Sequence, residues 1–282
     1  MKRIIVADSS CDLKESDFTG EKNFKFRIAP LTINGPDNYE FIDTEDNDPK
    51  ILLDKVSEVH GKWSSSCPSP NAYLTAFEDA DEVYVITISS KLSGSYNSAM
   101  NAGKMYLDKY PNKKVHIIDS LLAASGLALI FYKLRDLIDS NEYTFEQITK
   151  KIDKIRDESS VLFVIRSFDT LVGAGRMMKI SGMIVAALNI CPVCGDNGQG
   201  QIKILDKVRG TGKAIRRMID TIGEKIDTSG KTLVISHCNN LKDAELVKQI
   251  SLSIYKFKEI LIIPMNGLAA FYAGDQGIIV AF

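Results

Sequence analysis

The sequence predicts an α/β protein of two closely packed domains, with a parallel sheet in the N-terminal half. Three observations predict it. A strand, a polar turn and a helix follow one another three times in the first half. The first half alternates short β-branched runs with amphipathic stretches. The composition, with 45% hydrophobic and 25% charged residues over 282 positions, is that of an ordinary globular chain and leaves out disordered and fibrous folds.

Arg3 to Ala7 reads as a buried parallel strand that ends in the polar turn Asp8-Ser9-Ser10-Cys11-Asp12. Glu82 to Ile88 is a second strand, ending in Ser89-Ser90-Lys91-Leu92-Ser93-Gly94-Ser95 before a helix from about Tyr96. Lys114 to Ile118 is a third, ending at Asp119-Ser120 before an apolar helix near Leu122. Such repetition argues for βαβ units. Right-handed crossovers put all three polar turns at the carboxyl edge of one sheet, where ligands of open α/β sheets bind.

Farther along, Phe145, Ile148, Ile152 and Ile155 mark one face of a helix over Thr144 to Arg156. Val161 to Ile165 is a buried strand, followed by a Gly-rich piece from Leu171 to Arg176. Later strands are expected at Gln201 to Val208, Thr232 to His237, Glu259 to Pro264 and Gly277 to Phe282. Helices are expected at Thr211 to Ile226 and Leu241 to Tyr255. A boundary near residue 160 divides the chain into domains 1–160 and 161–282. No Pro/Gly/Ser-rich linker separates them, so they should pack closely, with room for a ligand between.

The formal net charge of −1 is unlike that of a protein that neutralises nucleic-acid phosphates. Asp8 arrives too early for the apolar core of a signal peptide. The longest apolar run, Leu121 to Tyr132, is interrupted by Ser125 and Gly126 and falls short of a bilayer span. With five scattered cysteines and no disulfide framework spacing, the expected location is the cytoplasm.

Several motifs have bland readings that outweigh the chemical ones. Cys191-Pro192-Val193-Cys194 lacks the second pair that a zinc site wants, His237-Cys238 being its one complement. It also lacks a thioredoxin-like βαβ start, so it reads as part of a core strand or turn. Gly210-Thr211-Gly212-Lys213-Ala214 lacks the first Gly and the Ser/Thr of a phosphate loop, and no cofactor cradle is present. Ser93 lacks the Gly-x-Ser-x-Gly elbow, and His60, His116 and His237 give no triad order. No catalytic residue and no metal ligand is assigned. The serines can instead cap helices or, at helix N-termini, hold one anion such as a carboxylate.

Taken together, these turns resemble the DegV family across nearly the whole length. The resemblance rests on Asp8-Ser9-Ser10-Cys11-Asp12-Leu13, Pro30-Leu31-Thr32-Ile33 and Ser65-Ser66-Cys67-Pro68-Ser69-Pro70. It rests further on Ile88 to Tyr96, Ile118-Asp119-Ser120, Gly175-Arg176 and Val208-Arg209-Gly210. It implies a two-domain α/β fold with an apolar tunnel between a parallel-sheet N-terminal domain and an α/β C-terminal domain. It implies that a long-chain fatty acid lies there, and that some members are the lipid-binding subunit of a bacterial fatty-acid kinase whose separate ATP-binding subunit phosphorylates the carboxylate.

Carried over by position, the carboxylate contacts are Ser65, in place of the usual Thr, then Ser93 with Gly94 beside it, and Tyr272, which stands where the family has a His. Arg176 and Arg209 match positions near the pocket mouth that bear on the phosphate or the partner. Cys191 replaces a frequent Lys. Tyr272 can donate a hydrogen bond but brings no charge near pH 7, which weakens the hold on a carboxylate. Two alternatives stay open: a lipid-binding sensor or scaffold with no kinase role, and a serine-dependent acyl hydrolase or transferase using Ser93 with His237 as base.

Overall fold

The computed structural model describes residues 1–177 and 190–282. Its strands and helices, in chain order, are β1 (Arg3–Asp8), β2 (Lys25–Ala29), β3 (Thr32–Asn34), β4 (Glu40–Ile42), α1 (Pro49–Glu58), β5 (Ser64–Ser66), α2 (Pro70–Phe77), β6 (Glu82–Thr87), α3 (Ser95–Lys109), β7 (Lys114–Asp119), α4 (Ser125–Asp139) and α5 (Phe145–Asp157). They continue as β8 (Val161–Val164), α6 (Asp169–Gly173), β9 (Ile190–Asp196), β10 (Ile202–Arg209), α7 (Thr211–Lys225), β11 (Thr232–His237), α8 (Leu241–Ile254), β12 (Glu259–Pro264), α9 (Gly267–Ala273) and β13 (Ile278–Ala281).

The first sheet has the order β2-β1-β6-β7, with every neighbouring pair parallel. Period-2 alternation sorts its side chains onto two covered faces. Ile4, Val6, Val83 and Val85 pack against Tyr73 and Phe77 of α2 and Ala99, Ala102 and Tyr106 of α3. Ile5, Ala7, Tyr84 and Ile86 face the other way, toward Leu127, Ile130, Phe131 and Leu134 of α4. Both faces of the central strands β1 and β6 are buried, so these two read as continuous apolar runs rather than alternating ones, while the edge strand β2 alternates.

The second sheet has the order β10-β9-β8-β13-β11-β12 and is mixed: only β11 and β12 run parallel, the other pairs being antiparallel. One face packs against α7 and α8 through Ile215, Met218, Ile219, Ile222, Ala244 and Val247. The opposite face turns back toward α4, whose core cluster includes Val161, Val234 and Ala281. Helix α4 is buried nearly all round over residues 125–131, as a helix apolar on every side must be. It is the common layer between the two sheets, and one continuous core runs from one sheet to the other.

A third, small antiparallel sheet, β4-β3-β5, has no counterpart in the sequence reading, nor do β2, α1, α2 and α9. The predicted strands at β1, β6, β7, β8, β10, β11, β12 and β13 are present. Thr144 caps α5 with a reciprocal capping box to Gln147. The Cys191–Cys194 segment is strand β9. Cys191 lies in the core on the α7 side and Cys194 in the core on the other face. Residues three apart on a strand point to opposite faces, which keeps this pair from sharing a metal or a disulfide. Burial pushes the Cys194 thiol up to about 12.

Among the described residues no helix is long and apolar enough to cross a membrane, and no group of three or more His, Cys, Asp or Glu side chains could hold a metal ion.

Candidate functional site

The three polar turns after β1, β6 and β7 interlock at the carboxyl edge of the parallel sheet. Asp8 accepts from Ile88 N–H at 2.8 Å, Asp119 from Ser90 N–H at 3.0 Å, and Leu122 C=O from Ser89 N–H at 2.9 Å. Two side-chain acceptors and one backbone carbonyl satisfy backbone donors that the ends of parallel strands leave free. The result is a rigid rim.

That rim forms one wall of a cavity of about 910 Å³, counted out to its open mouth. Ser10, Ile88, Leu92, Ser93 and the segment Leu121 to Ala124 line this side. The opposite wall is the inner face of the mixed sheet: Val161 and Phe163 on β8, Ile165 just beyond it, Ile202 on β10 and Ile279 on β13. Helix α9 contributes Leu268, Ala269, Tyr272 and Ala273, and the small sheet contributes Ser65. The apolar lining with few polar groups has the character of a small-molecule site.

The polar side chains of the lining are Ser10, Ser65, Ser93, Arg176, Asp196, Gln201 and Tyr272. Ser65, on β5, lies 2.9 Å from the Tyr272 hydroxyl on α9, with either oxygen able to donate. Ser93 accepts from Ser95 N–H at 3.2 Å, and among the described residues nothing accepts its own hydroxyl hydrogen. The Ser65–Tyr272 bond uses one of that pair's two hydrogens. Two O–H donors are therefore left for a ligand, one on Ser93 and one on the Ser65–Tyr272 pair. Two donors match the two oxygens of a carboxylate. Arg176 also lines the cavity, with its Nη1 donating to Ala174 C=O at 2.8 Å.

Of the residues expected from sequence, Ser65, Ser93, Tyr272 and Arg176 come together at this cavity. Gly94 and Arg209 are not among the lining residues. Gly94 begins α3 with its backbone, and a Cβ there would come within 3.3 Å of Cys67 Sγ. Arg209 is exposed at the end of β10. His237 is also not among the lining residues. Its Nδ1 accepts from Asn240 N–H at 3.2 Å, and burial lowers its pKa.

Sequence reasoning did not single out the acids behind the site. Asp8 is fully buried; burial pushes its carboxyl up, while the hydroxyls of Ser10 and Ser95 and the Ile88 amide pull it back. Asp43 receives Gly267 N–H at 2.7 Å and Leu268 N–H at 3.0 Å, which anchors the start of α9. Burial raises it to about 6. A short polar residue opening a turn is the signal that both carry, and it is shared by many residues with no such role.

The fold and cavity define an α/β protein with an apolar cavity walled by two sheets and hydroxyl side chains in its lining. Residues 2–282 match the profile of a family described as uncharacterised proteins of the DegV family. A DegV domain-containing protein of Streptococcus gordonii is 36% identical over 279 residues, covering 99% of this chain and 98% of that one. The structure of the Streptococcus pneumoniae fatty acid kinase (Fak) B3 protein loaded with linoleic acid matches with a TM-score of 0.93 at 34% identity, covering 100% and 99% of the two chains. A DegV family protein of Ruminococcus gnavus, refined with vaccenic acid, matches with a TM-score of 0.92 at 31% identity and 99% coverage of each. The chain belongs to the DegV family.

Proposed function

We propose that this protein binds one long-chain fatty acid in the cavity between its two sheets and presents the carboxylate to a separate ATP-binding kinase subunit, in the cytoplasm of a bacterium. The observation that carries the reading is the pairing of an apolar cavity walled by two sheets with the hydroxyls of Ser65, Ser93 and Tyr272 in its lining. The fatty acids bound by the similar proteins support it. In this reading each buried CH₂ adds about 0.8 kcal/mol, so the tail dominates affinity and the hydroxyls select the head group. In this reading Arg176, in the cavity lining, stabilises developing phosphate charge, and exposed Arg209 and the Ser93-Gly94 turn meet the partner. The protein supplies lipid rather than catalysis. Residues 1–160 and 161–282 act as the two walls of the site.

Native mass spectrometry of the protein purified from a bacterial host, followed by denaturing extraction, tests the binding. A stoichiometric adduct with the mass of a fatty acid is expected; a chain that stays empty after incubation with long-chain fatty acids sinks the reading. Addition of a fatty-acid kinase catalytic subunit with ATP then tests presentation, through consumption of the bound lipid. A second reading, a lipid sensor with no kinase role, is favoured by Tyr272, which leaves the head-group site without the imidazole cation. Bound lipid that the kinase subunit does not consume would support it.

A further inference from the structure

Ser93 lies within the turn that joins β6 to α3, and a single buried carboxylate oxygen holds both ends of that turn. Asp8 Oδ2 accepts from Ile88 N–H at 2.8 Å at its start and from the Ser95 hydroxyl at 2.6 Å at its end. The other oxygen accepts the Ser10 hydroxyl at 2.5 Å. Because the Ser95 hydrogen is committed to Asp8, the Tyr73 hydroxyl, 2.6 Å away, is the donor to Ser95 Oγ. Ser95 N–H in turn donates to Ser93 Oγ at 3.2 Å. The Ser95 hydroxyl thus ties the end of the turn to Asp8, while the Ser95 N–H occupies one lone pair of Ser93 Oγ and leaves the Ser93 hydroxyl hydrogen without an acceptor among the described residues.

Asp8 is 0% exposed, and its side-chain partners are hydroxyls and an amide, with no cation among them. A buried charge without a countercharge is costly, and a neutral residue could close the same turn at less cost. We infer that Asp8 is a positioning residue for ligand recognition: it fixes the turn from Ile88 to Ser95 so that Ser93 directs its O–H at the ligand's carboxylate. This rests on the fatty-acid reading above. Asp8 touches no ligand, and its effect reaches the head group through Ser95 and Ser93.

The test compares dissociation constants of palmitate and hexadecanol for delipidated protein at pH 7, because the two share a tail and differ at the head. The wild type is expected to prefer palmitate. Asp8→Asn and Ser95→Ala should each cut that preference about tenfold, the scale of one lost hydrogen bond to a charged group. Hexadecanol should change by less than about threefold. In a Ser93→Ala background, Asp8→Asn should cut the preference no further, a result that a merely structural role does not produce. An unchanged preference in Ser95→Ala, an equal loss for acid and alcohol, or a further cut on top of Ser93→Ala overturns the inference. Should Asp8→Asn fail to fold, Ser95→Ala decides, since it leaves the carboxylate and its other two donors in place. A wild type with no preference for the acid would remove the head-group reading itself, and this inference with it.

Discussion

Tyr272 and Ser65 share one hydrogen bond across 2.9 Å, and at any moment only one of the two hydroxyls is free to donate to a ligand. Removing either partner frees the other, so the number of available donors does not change. Tyr272→Phe and Ser65→Ala should therefore each lower palmitate affinity by less than about threefold, while the double variant should lose about tenfold. Equilibrium binding of the four proteins measures that coupling, and strictly additive losses would refute it. Asp43 gives a pH prediction. Its folded-state carboxyl is raised to about 6, above the unfolded value near 3.9, so the native chain holds an extra proton between those values. Its contribution to stability is greatest at low pH and falls as pH rises through that window, by on the order of 3 kcal/mol. Denaturant unfolding of wild type and Asp43→Asn at pH 4 and pH 7 should show the wild type losing ground to the variant as pH rises.

At the scale of elements, α9 links the small sheet to the site. Its start is tied to Asp43 through Gly267 and Leu268, its Phe271 packs on Trp63, and Tyr272 reaches Ser65 on β5. Gly267 is closely enclosed: a Cβ there would stand 2.4 Å from Phe41 Cε1 and 2.7 Å from Asp43 Oδ1. Gly267→Ala should push α9 away from the small sheet and cost about 1–3 kcal/mol of stability. Palmitate affinity should fall with it, because the helix carries Tyr272 and three other lining residues. Thermal unfolding and binding measured on one sample check both effects. Full stability with full affinity would show that α9 can shift without moving the site.

For the whole molecule, α4 decides how the two sheets behave together. Phe131 of α4 meets Phe18, Phe24 and Phe26 from the first-sheet side, while the same core takes in Val234, Ile263 and Ala281 of the second sheet. Neither sheet can lose α4 without exposing a buried face. Unfolding should be a single transition, with the fluorescence of Trp63 and the far-UV circular dichroism coinciding. Phe131→Ala should lower stability by about 3–5 kcal/mol and shift both signals together. Two separated transitions would show that the halves unfold independently.

The strands at β1, β6 and β7 were legible because a strand buried on both faces must be a nearly unbroken apolar run, and each ends in a polar turn at a sheet edge. Strand β11 was legible for the same reason and the edge strand β12 from its apolar run Ile260 to Ile263, both down to their end residues. Ser65 and Ser93 were legible from their turns as anion-binding candidates, which the family resemblance sharpened, since a serine in a turn looks the same whether it caps a helix or meets a ligand; Tyr272 was legible only through that resemblance. The small sheet escaped because three-residue strands carry too little periodicity to register. By itself the sequence determined the local elements, which depend on neighbours a few positions apart. Only the tertiary structure decided that Asp8 bonds Ser95 across 87 positions, that α4 is shared by two sheets, and that Ser65 and Tyr272 meet across 207 positions. Those pairings follow from burial and hydrogen-bond satisfaction between segments distant in sequence, which no local pattern encodes.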